Sequence, residues 1–501
     1  MNHPAGNEVN VIALDMGTSS IRACIVDAGL KMLHQFQVPV ALNSGMDGQA
    51  EQDAEIIFSA VVACLADVCL WAEAHQVALS GLCFSNAVAS LLSLDEHGQV
   101  SSPALTWADT RAADEAEQLK VSLGGELYAR TACPMHPSYW LPKFQWLCHQ
   151  GFQLAGKVRF CTLKDLVVLR LSGQFVTDVS NAAATGMCNA RSGEWDDLCL
   201  KQAGITAAQL PQIRETTSRL PLAQNDFVSL THLPGSVEII LGANDGVLSS
   251  LGTGSIELGQ VSTMVGSSGA CRIVTDQPDL KDPQRRLWSY PLAQSIWVRG
   301  GAMTNGGLVT QWFADAFYGG EKDAIQTMLH EAASVPAGSE GLIFLPYLYG
   351  ERAPIYNAHA RGVFFGLHGK HTRAHMARAA LEGVYFGLYS IYEIVAASVP
   401  QVSEIRTTGG HVRSALSLQI MADVFDSQIS VPENFEGSAI GAAGLAFLAL
   451  GVFSDFSPVR ASVRIQQVIN PNPEAVRIYS PAFSRFKQLY SQLAPLFPVE
   501  G

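Results

Sequence analysis

Apolar positions near the start fall into short runs and one long helical stripe. Val9–Leu14 and Ile21–Val26 flank the polar string Asp15-Met16-Gly17-Thr18-Ser19-Ser20, which predicts a β-hairpin about a tight turn. Asp53 then offers an N-cap, and Ile57, Val61, Leu65, Val68 and Trp71 recur at helical spacing behind it. A strand-like run, Ala78–Phe84, follows, and a second, Ser90–Leu94, closes in the turn Asp95-Glu96-His97-Gly98. Three apolar runs between Val237 and Gly269 end in glycine-marked strings: Gly242-Ala243-Asn244-Asp245-Gly246, Leu251–Ser255 and Gly266-Ser267-Ser268-Gly269. The second half repeats the rhythm more loosely. It carries a strand over Gly341–Leu345, a helix from about Thr372 to Ala397 and a strand over Ile405–Thr408 that reaches Gly409-Gly410. A helix from about Ser414 to Phe425 and a terminal helix over Ser480–Leu496 complete the pattern.

Strands mixed with long helices indicate an α/β fold. No repeat of 20–50 residues is visible. Each half nevertheless holds a glycine-marked turn after a strand, so two similar-sized domains facing a cleft are expected, with the boundary near residues 246–260. The length of 501 residues agrees with two or three domains. Only 15% of residues are charged against 48% apolar, which implies a large buried interior. The net charge of −13 argues against a protein that tracks nucleic-acid phosphates.

All ten cysteines lie between Cys24 and Cys271 with no C-x-x-C pair, so neither a disulfide scaffold nor a paired zinc site is expected. The opening residues lack the basic and apolar regions of a secretory leader. The longest apolar stretch, Ile56–Ala72, is interrupted by Asp67 and falls short of the ~20 residues that span a bilayer. A reducing cytoplasm is the expected location, with no membrane partner.

Four strings could carry chemistry. The Asp15–Ser20 turn offers hydroxyls and main-chain N–H groups to a phosphate, and a strand-end carboxylate that can hold Mg²⁺; the alternative is an ordinary polar turn. Asp245, in a small-residue turn after Ile239-Ile240-Leu241, could act as general base toward a substrate hydroxyl, or could merely satisfy its own backbone. The Gly266–Gly269 turn suits a terminal phosphate. Gly409-Gly410, leading into a helix, permits close approach of a flat ligand. No G-x-x-x-x-G-K-[ST] string is present, and Gly252-Thr253-Gly254 does not complete a dinucleotide fingerprint.

Taken in order, these strings resemble the FGGY carbohydrate kinases of the actin-like ATPase superfamily, and within them the gluconokinase-like branch. The resemblance runs through nearly the whole chain, including Thr106–Ala112, Ala184–Asp196, Met303–Trp312 and Glu436–Ala446. It implies two actin-like, RNase H-like domains facing an interdomain cleft: residues 1–252 with the sugar site and catalytic base, and 253–501 with the nucleotide site. It also implies transfer of the ATP γ-phosphoryl group to a sugar hydroxyl, with Mg²⁺ as cofactor. By that resemblance Asp245 is the catalytic base and Asp15 the Mg²⁺-linked residue. Thr18, Ser19 and Ser20 cradle phosphate; Gly266, Ser267, Gly307 and Gln311 contact nucleotide; Gly410 and Ser414 lie on the adenosine side. Trp107 and Asp109 fall where the family presents its sugar.

Two departures bear on substrate. Val88-Ala89 replaces the family's polar pair at the sugar, and His136-Pro137-Ser138-Tyr139-Trp140-Leu141-Pro142-Lys143 replaces the gluconokinase-like H-P-M-S-P-L-x-K. Tyr139 and Trp140 either reshape the pocket or pack in a core. An anionic sugar acid needs a local cation, for which Lys143 and Arg111 are the candidates, with His136 as a third. A surface pair between Arg111 and Asp114, and a solvated helix position for Lys143, are the alternatives. The expected activity is ATP-dependent phosphorylation of a small sugar acid, gluconate first, with a pentulose such as D-xylulose second. A silent actin-like sensor is a third reading, disfavoured because both Asp15 and Asp245 are retained. The expected partner is a small sugar or sugar acid, with no nucleic acid; a homodimer is left open.

Overall fold

The computed structural model describes residues 9–45, 47–320, 322–433 and 437–497. The first eight residues of the chain and Glu436 of the Glu436–Ala446 string lie outside them. The hairpin is present as β1 (Asn10–Met16) and β2 (Ser20–Asp27), followed by β3 (Met32–Pro39). Asp15 belongs to the strand, not to the turn, which shrinks to residues 17–19 closed by Gly17 N–H on Ser20 O at 3.0 Å. Alternate residues of β1 face opposite cores, Ile12 and Leu14 on one side and Val11 and Ala13 on the other. A sheet apolar on both faces must be covered twice.

The first cover is α1 (Ala54–Ala74), capped as expected by Asp53, whose carboxylate accepts from Glu55 and Ile56 N–H at 2.8 and 3.1 Å. At 21 residues α1 is longer than the apolar stretch read from the sequence, and by length and composition it could cross a membrane. Its Ile57, Val61, Cys64, Leu65 and Val68 are instead buried against the sheet. Next in the chain come β4 (Leu79–Asn86), α2 (Leu163–Ser172), β5 (Arg219–Leu220), β6 (Glu238–Asn244) and α3 (Asp245–Gly252). The sheet order is β5-β6-β4-β1-β2-β3. Strands β1, β4 and β6 run parallel, while β2 and β5 pair antiparallel with β1 and β6. The second cover is supplied by α3 and a helix far along the chain, Gly437–Ala449.

The second sheet starts from the hairpin β7 (Gln260–Val265) and β8 (Gly269–Thr275), with β9 (Trp297–Met303) beside β8. On the other side of β7 follow β10 (Glu404–Thr408), β11 (Ile429–Pro432) and β12 (Ile465–Ile469). Here too the hairpin is antiparallel, the next two neighbours are parallel and the last strand is antiparallel. The same RNase H-like order is thus built twice, from sequences that share no visible repeat.

The compact units do not follow one cut of the chain. One comprises Met1–Ile256, Asp276–Val298 and Glu436–Val463, and the other comprises Glu257–Thr275, Arg299–Phe435 and Arg464–Gly501. The terminal helix also differs from expectation, running Pro473–Leu493. Asn472 caps it and Pro473 fills its first turn, a favoured start, so that Ser480, where the expected helix begins, lies inside it beside Pro481.

Candidate functional site

In the first unit the strand register assembles a polar cluster around Asp15. Asp15 faces Arg22 across the β1–β2 pair and Ser85 across the β1–β4 pair. Accordingly Arg22 Nη2 donates to Asp15 Oδ2 at 3.2 Å and Ser85 Oγ to Oδ1 at 2.7 Å. A third donor, Ser438 Oγ, reaches Oδ2 at 3.1 Å from 423 residues away. The register could have identified Arg22 and Ser85; Ser438 lies in the Glu436–Ala446 string, but nothing there points to Asp15 as its partner. Beside Asp15, Thr18 is tied twice: its carbonyl accepts from Gln52 Nε2 and its Oγ1 from Trp107 Nε1, both at 2.9 Å. Ser19 is exposed and Ser20 opens β2.

Asp245 is the first residue of α3, and β6 runs directly into that helix without the expected turn. Asn244 makes the junction. Its Oδ1 accepts from Val247 N–H at 3.0 Å and its Nδ2 donates to Ser180 Oγ at 2.9 Å. Gly242, at φ 77°, is where a side chain is forbidden, since a Cβ would stand 1.9 Å from Phe84 O of β4. Behind α3 the Gly437–Ala449 helix approaches so closely that a Cβ on Gly441 would stand 2.0 Å from Leu248 O. The strand end and the helix carrying Asp245 are therefore fixed on both sides, and its carboxylate is left half-buried.

Of the expected sugar contacts, Val88 and Trp107 line a narrow cavity together with Thr18. Ala89, Asp109 and Lys143 do not line it; each is 1% exposed. Asp109 accepts from Ala50 N–H at 3.1 Å and pairs with Arg111, whose guanidinium also reaches Glu51 at 2.5 Å and lies over the Trp146 ring. Arg111 is thus an ion-paired residue, as the alternative reading had it, with Glu51 and Asp109 in the place suggested for Asp114. Lys143 is no solvated helix position. Its ammonium donates to three main-chain carbonyls, and burial pushes its pKa down to about 7 against the pull of Asp109. His136 Nδ1 is bonded to Ser138 Oγ at 2.8 Å. Tyr139 and Trp140 belong to the core: the Tyr139 hydroxyl meets that of Tyr290, and Trp140 Nε1 donates to Ser90 O at 3.0 Å.

In the second unit six of the expected positions meet. Gly266, Ser267, Gly307, Gln311, Gly410 and Ser414 line one cavity of about 540 Å³, ample for a nucleoside. Gly307 and Leu308 N–H donate to Gly266 O and Ser267 O at 2.7 and 3.0 Å, which lays the start of the Gly307–Tyr318 helix against the Gly266–Gly269 turn. Ser414 caps the Ala415–Phe425 helix through Ser417 N–H. Sequence reading missed Lys322, Tyr385 and Arg413 on the same wall, and it missed the part played by His411. His411 is held by the Tyr385 and Thr407 hydroxyls at 3.0 and 2.9 Å, and burial lowers its pKa to about 4, so it is neutral near pH 7. Among the described residues no three His, Cys, Asp or Glu side chains gather as a metal cage.

Two family models match the chain in succession. Residues 10–252 match the N-terminal domain, and 261–450 the C-terminal domain, of the FGGY family of carbohydrate kinases. A gluconokinase of Bacillus subtilis is 33% identical over 97% of both chains. A gluconate kinase structure from Lactobacillus acidophilus superposes with TM-score 0.92 at 31% identity, covering 98% of this chain and 99% of that one. A ligand-bound xylulose kinase structure from the same organism gives 0.91, at the same identity and coverage.

Proposed function

Because the chain belongs to the FGGY family of carbohydrate kinases, an enzyme family of two actin-like domains, we propose that it transfers the γ-phosphoryl group of ATP to a hydroxyl of gluconate or a closely similar sugar acid. The observation that carries the nucleotide half of this reading is one second-unit cavity lined by the six nucleotide positions expected in that half of the chain. Its wall offers main-chain groups at the Gly266–Gly269 and Gly409-Gly410 turns, an apolar side at Leu381 and Val384, and the cation of Lys322.

In the first unit Asp245 is the general base. As the new P–O bond forms and the bond to the leaving ADP oxygen breaks, its carboxylate takes the proton of the attacking sugar hydroxyl. A half-buried carboxylate at the fixed start of a helix suits that task, because the rigid strand-to-helix junction holds it still. Asp15 would hold Mg²⁺. Its carboxylate is oriented by two hydroxyls and one guanidinium, and one such group suits an ion that takes its other ligands from phosphate and water. Bound there, Mg²⁺ neutralises phosphate charge. Val88 and Trp107 offer the sugar a partly apolar surface.

A pentulose is the second reading. It is favoured by one observation: Arg111 and Lys143, the two cations expected to meet a carboxylate, are already engaged by Glu51, Asp109 and main-chain oxygens. A coupled assay of ADP release tests both. Purified protein with ATP and Mg²⁺ is expected to release ADP on addition of gluconate. Release with D-xylulose or glycerol but not gluconate would replace the substrate, and no sugar-dependent release at all would refute the kinase reading.

A further inference from the structure

Three carbonyl oxygens from separate stretches of the first unit converge on one buried ammonium. Lys143 Nζ lies 2.6 Å from Thr106 O, 3.0 Å from Ser138 O and 3.4 Å from Ala89 O. A lysine ammonium has three protons to donate and accepts nothing, so these carbonyls use its whole capacity. Two of the acceptors adjoin the proposed sugar site. Ala89 follows Val88 and sits in the left-handed region at φ 56°, a conformation a non-glycine residue holds only under constraint. Thr106 precedes Trp107, whose indole donates to Thr18, and lies three residues before Asp109. Ser138 is bonded to His136.

Building on the proposed sugar role of the first unit, we infer that Lys143 is a positioning residue: its ammonium ties residues 88–89, 106–109 and 136–138 into one frame, so that Val88 and Trp107 meet the sugar as a preformed surface. Lys143 itself does not touch the sugar. The charged groups around it are Asp109, which favours the ammonium, and Arg111, which opposes it, with His136 beyond Ser138. A buried cation bonded only to main chain contributes geometry. Packing alone would be served as well by a methionine of similar length and no charge.

The test compares Lys143→Met and Lys143→Gln with the wild type in steady-state kinetics with gluconate and ATP. Gluconate KM is expected to rise about tenfold or more in Lys143→Met, a loss of roughly 1.4 kcal/mol. ATP KM should stay within about twofold. Lys143→Gln, which can still donate to two carbonyls, should fall between Met and wild type. An unchanged gluconate KM in Lys143→Met, or equal losses for gluconate and ATP, would overturn the inference. If neither variant folds, hydrogen–deuterium exchange on the wild-type protein decides instead. Peptides covering residues 87–90, 104–108 and 136–140 are expected to open at one common rate, and three unrelated rates would overturn the frame. Failure of the function reads differently, as a wild-type protein that releases no ADP with any sugar, and the exchange experiment still judges the frame.

Discussion

Asp245 was legible as a candidate because an aspartate among small residues at a strand end lies where α/β folds open their clefts. What the sequence could not give was its setting, which depends on Phe84 and Leu248 standing too close for any side chain at Gly242 and Gly441. If Asp245 takes the sugar proton, Asp245→Asn keeps the shape and removes the base. Turnover is expected to fall by ~10²–10⁴-fold with ATP KM nearly unchanged, as read in the coupled assay; near-normal turnover would remove the assignment. Asp109 and Lys143 show the converse. Their residue types suit a sugar site, but both are buried with their polar groups already bonded to the main chain, a setting that residue type does not reveal. His411 makes a pH prediction. Burial lowers its folded pKa to about 4 from the ordinary 6.5, with a main-chain bond at Thr408 opposing. Between those values the unfolded chain binds a proton the folded one does not, so stability rises with pH across the window and is lost as pH falls through it. The loss is at most about 3 kcal/mol. Thermal melts at pH 6.5 and 4.5 should differ less in His411→Asn than in the wild type, and equal differences would contradict the assignment.

Helices announced themselves where a cap preceded a periodic stripe, as Asp53 does for α1 and Ser414 for Ala415–Phe425. Misreadings came where one residue carried two messages. Ser480 reads as a helix start but sits inside Pro473–Leu493, and Gly242 looks like a turn but continues β6 into α3. The contact between α3 and the Gly437–Ala449 helix could not be read at all, since its two sides lie nearly 200 residues apart in the chain. It makes its own prediction. In Gly441→Ala the new methyl would stand 2.0 Å from Leu248 O, so α3 must move. Stability measured by urea unfolding should drop by about 1–3 kcal/mol, and kcat should fall because Asp245 moves with the helix. A variant that loses stability yet keeps full kcat would show that this contact does not set the position of Asp245.

At the scale of the whole molecule, composition argued against a nucleic-acid binder, and the ordered strings supplied the family. The doubled topology stayed hidden because a sheet order needs only alternating apolar residues, which many sequences satisfy. The return of residues 276–298 and 436–463 to the first unit stayed hidden for a related reason: chain order says nothing about which unit a late helix covers. What the molecule acts on is the least legible property, since Val88-Ala89 and the engaged cations lean away from an acid while the likeness to gluconokinase leans toward one. One measurement addresses this directly. Wild-type protein is given ATP, Mg²⁺ and equal concentrations of gluconate and D-xylulose in one tube, and the phosphate esters are resolved by ³¹P NMR. The gluconate ester is expected to form in the larger share; a dominant xylulose ester, or inorganic phosphate alone, would contradict phosphorylation of a sugar acid.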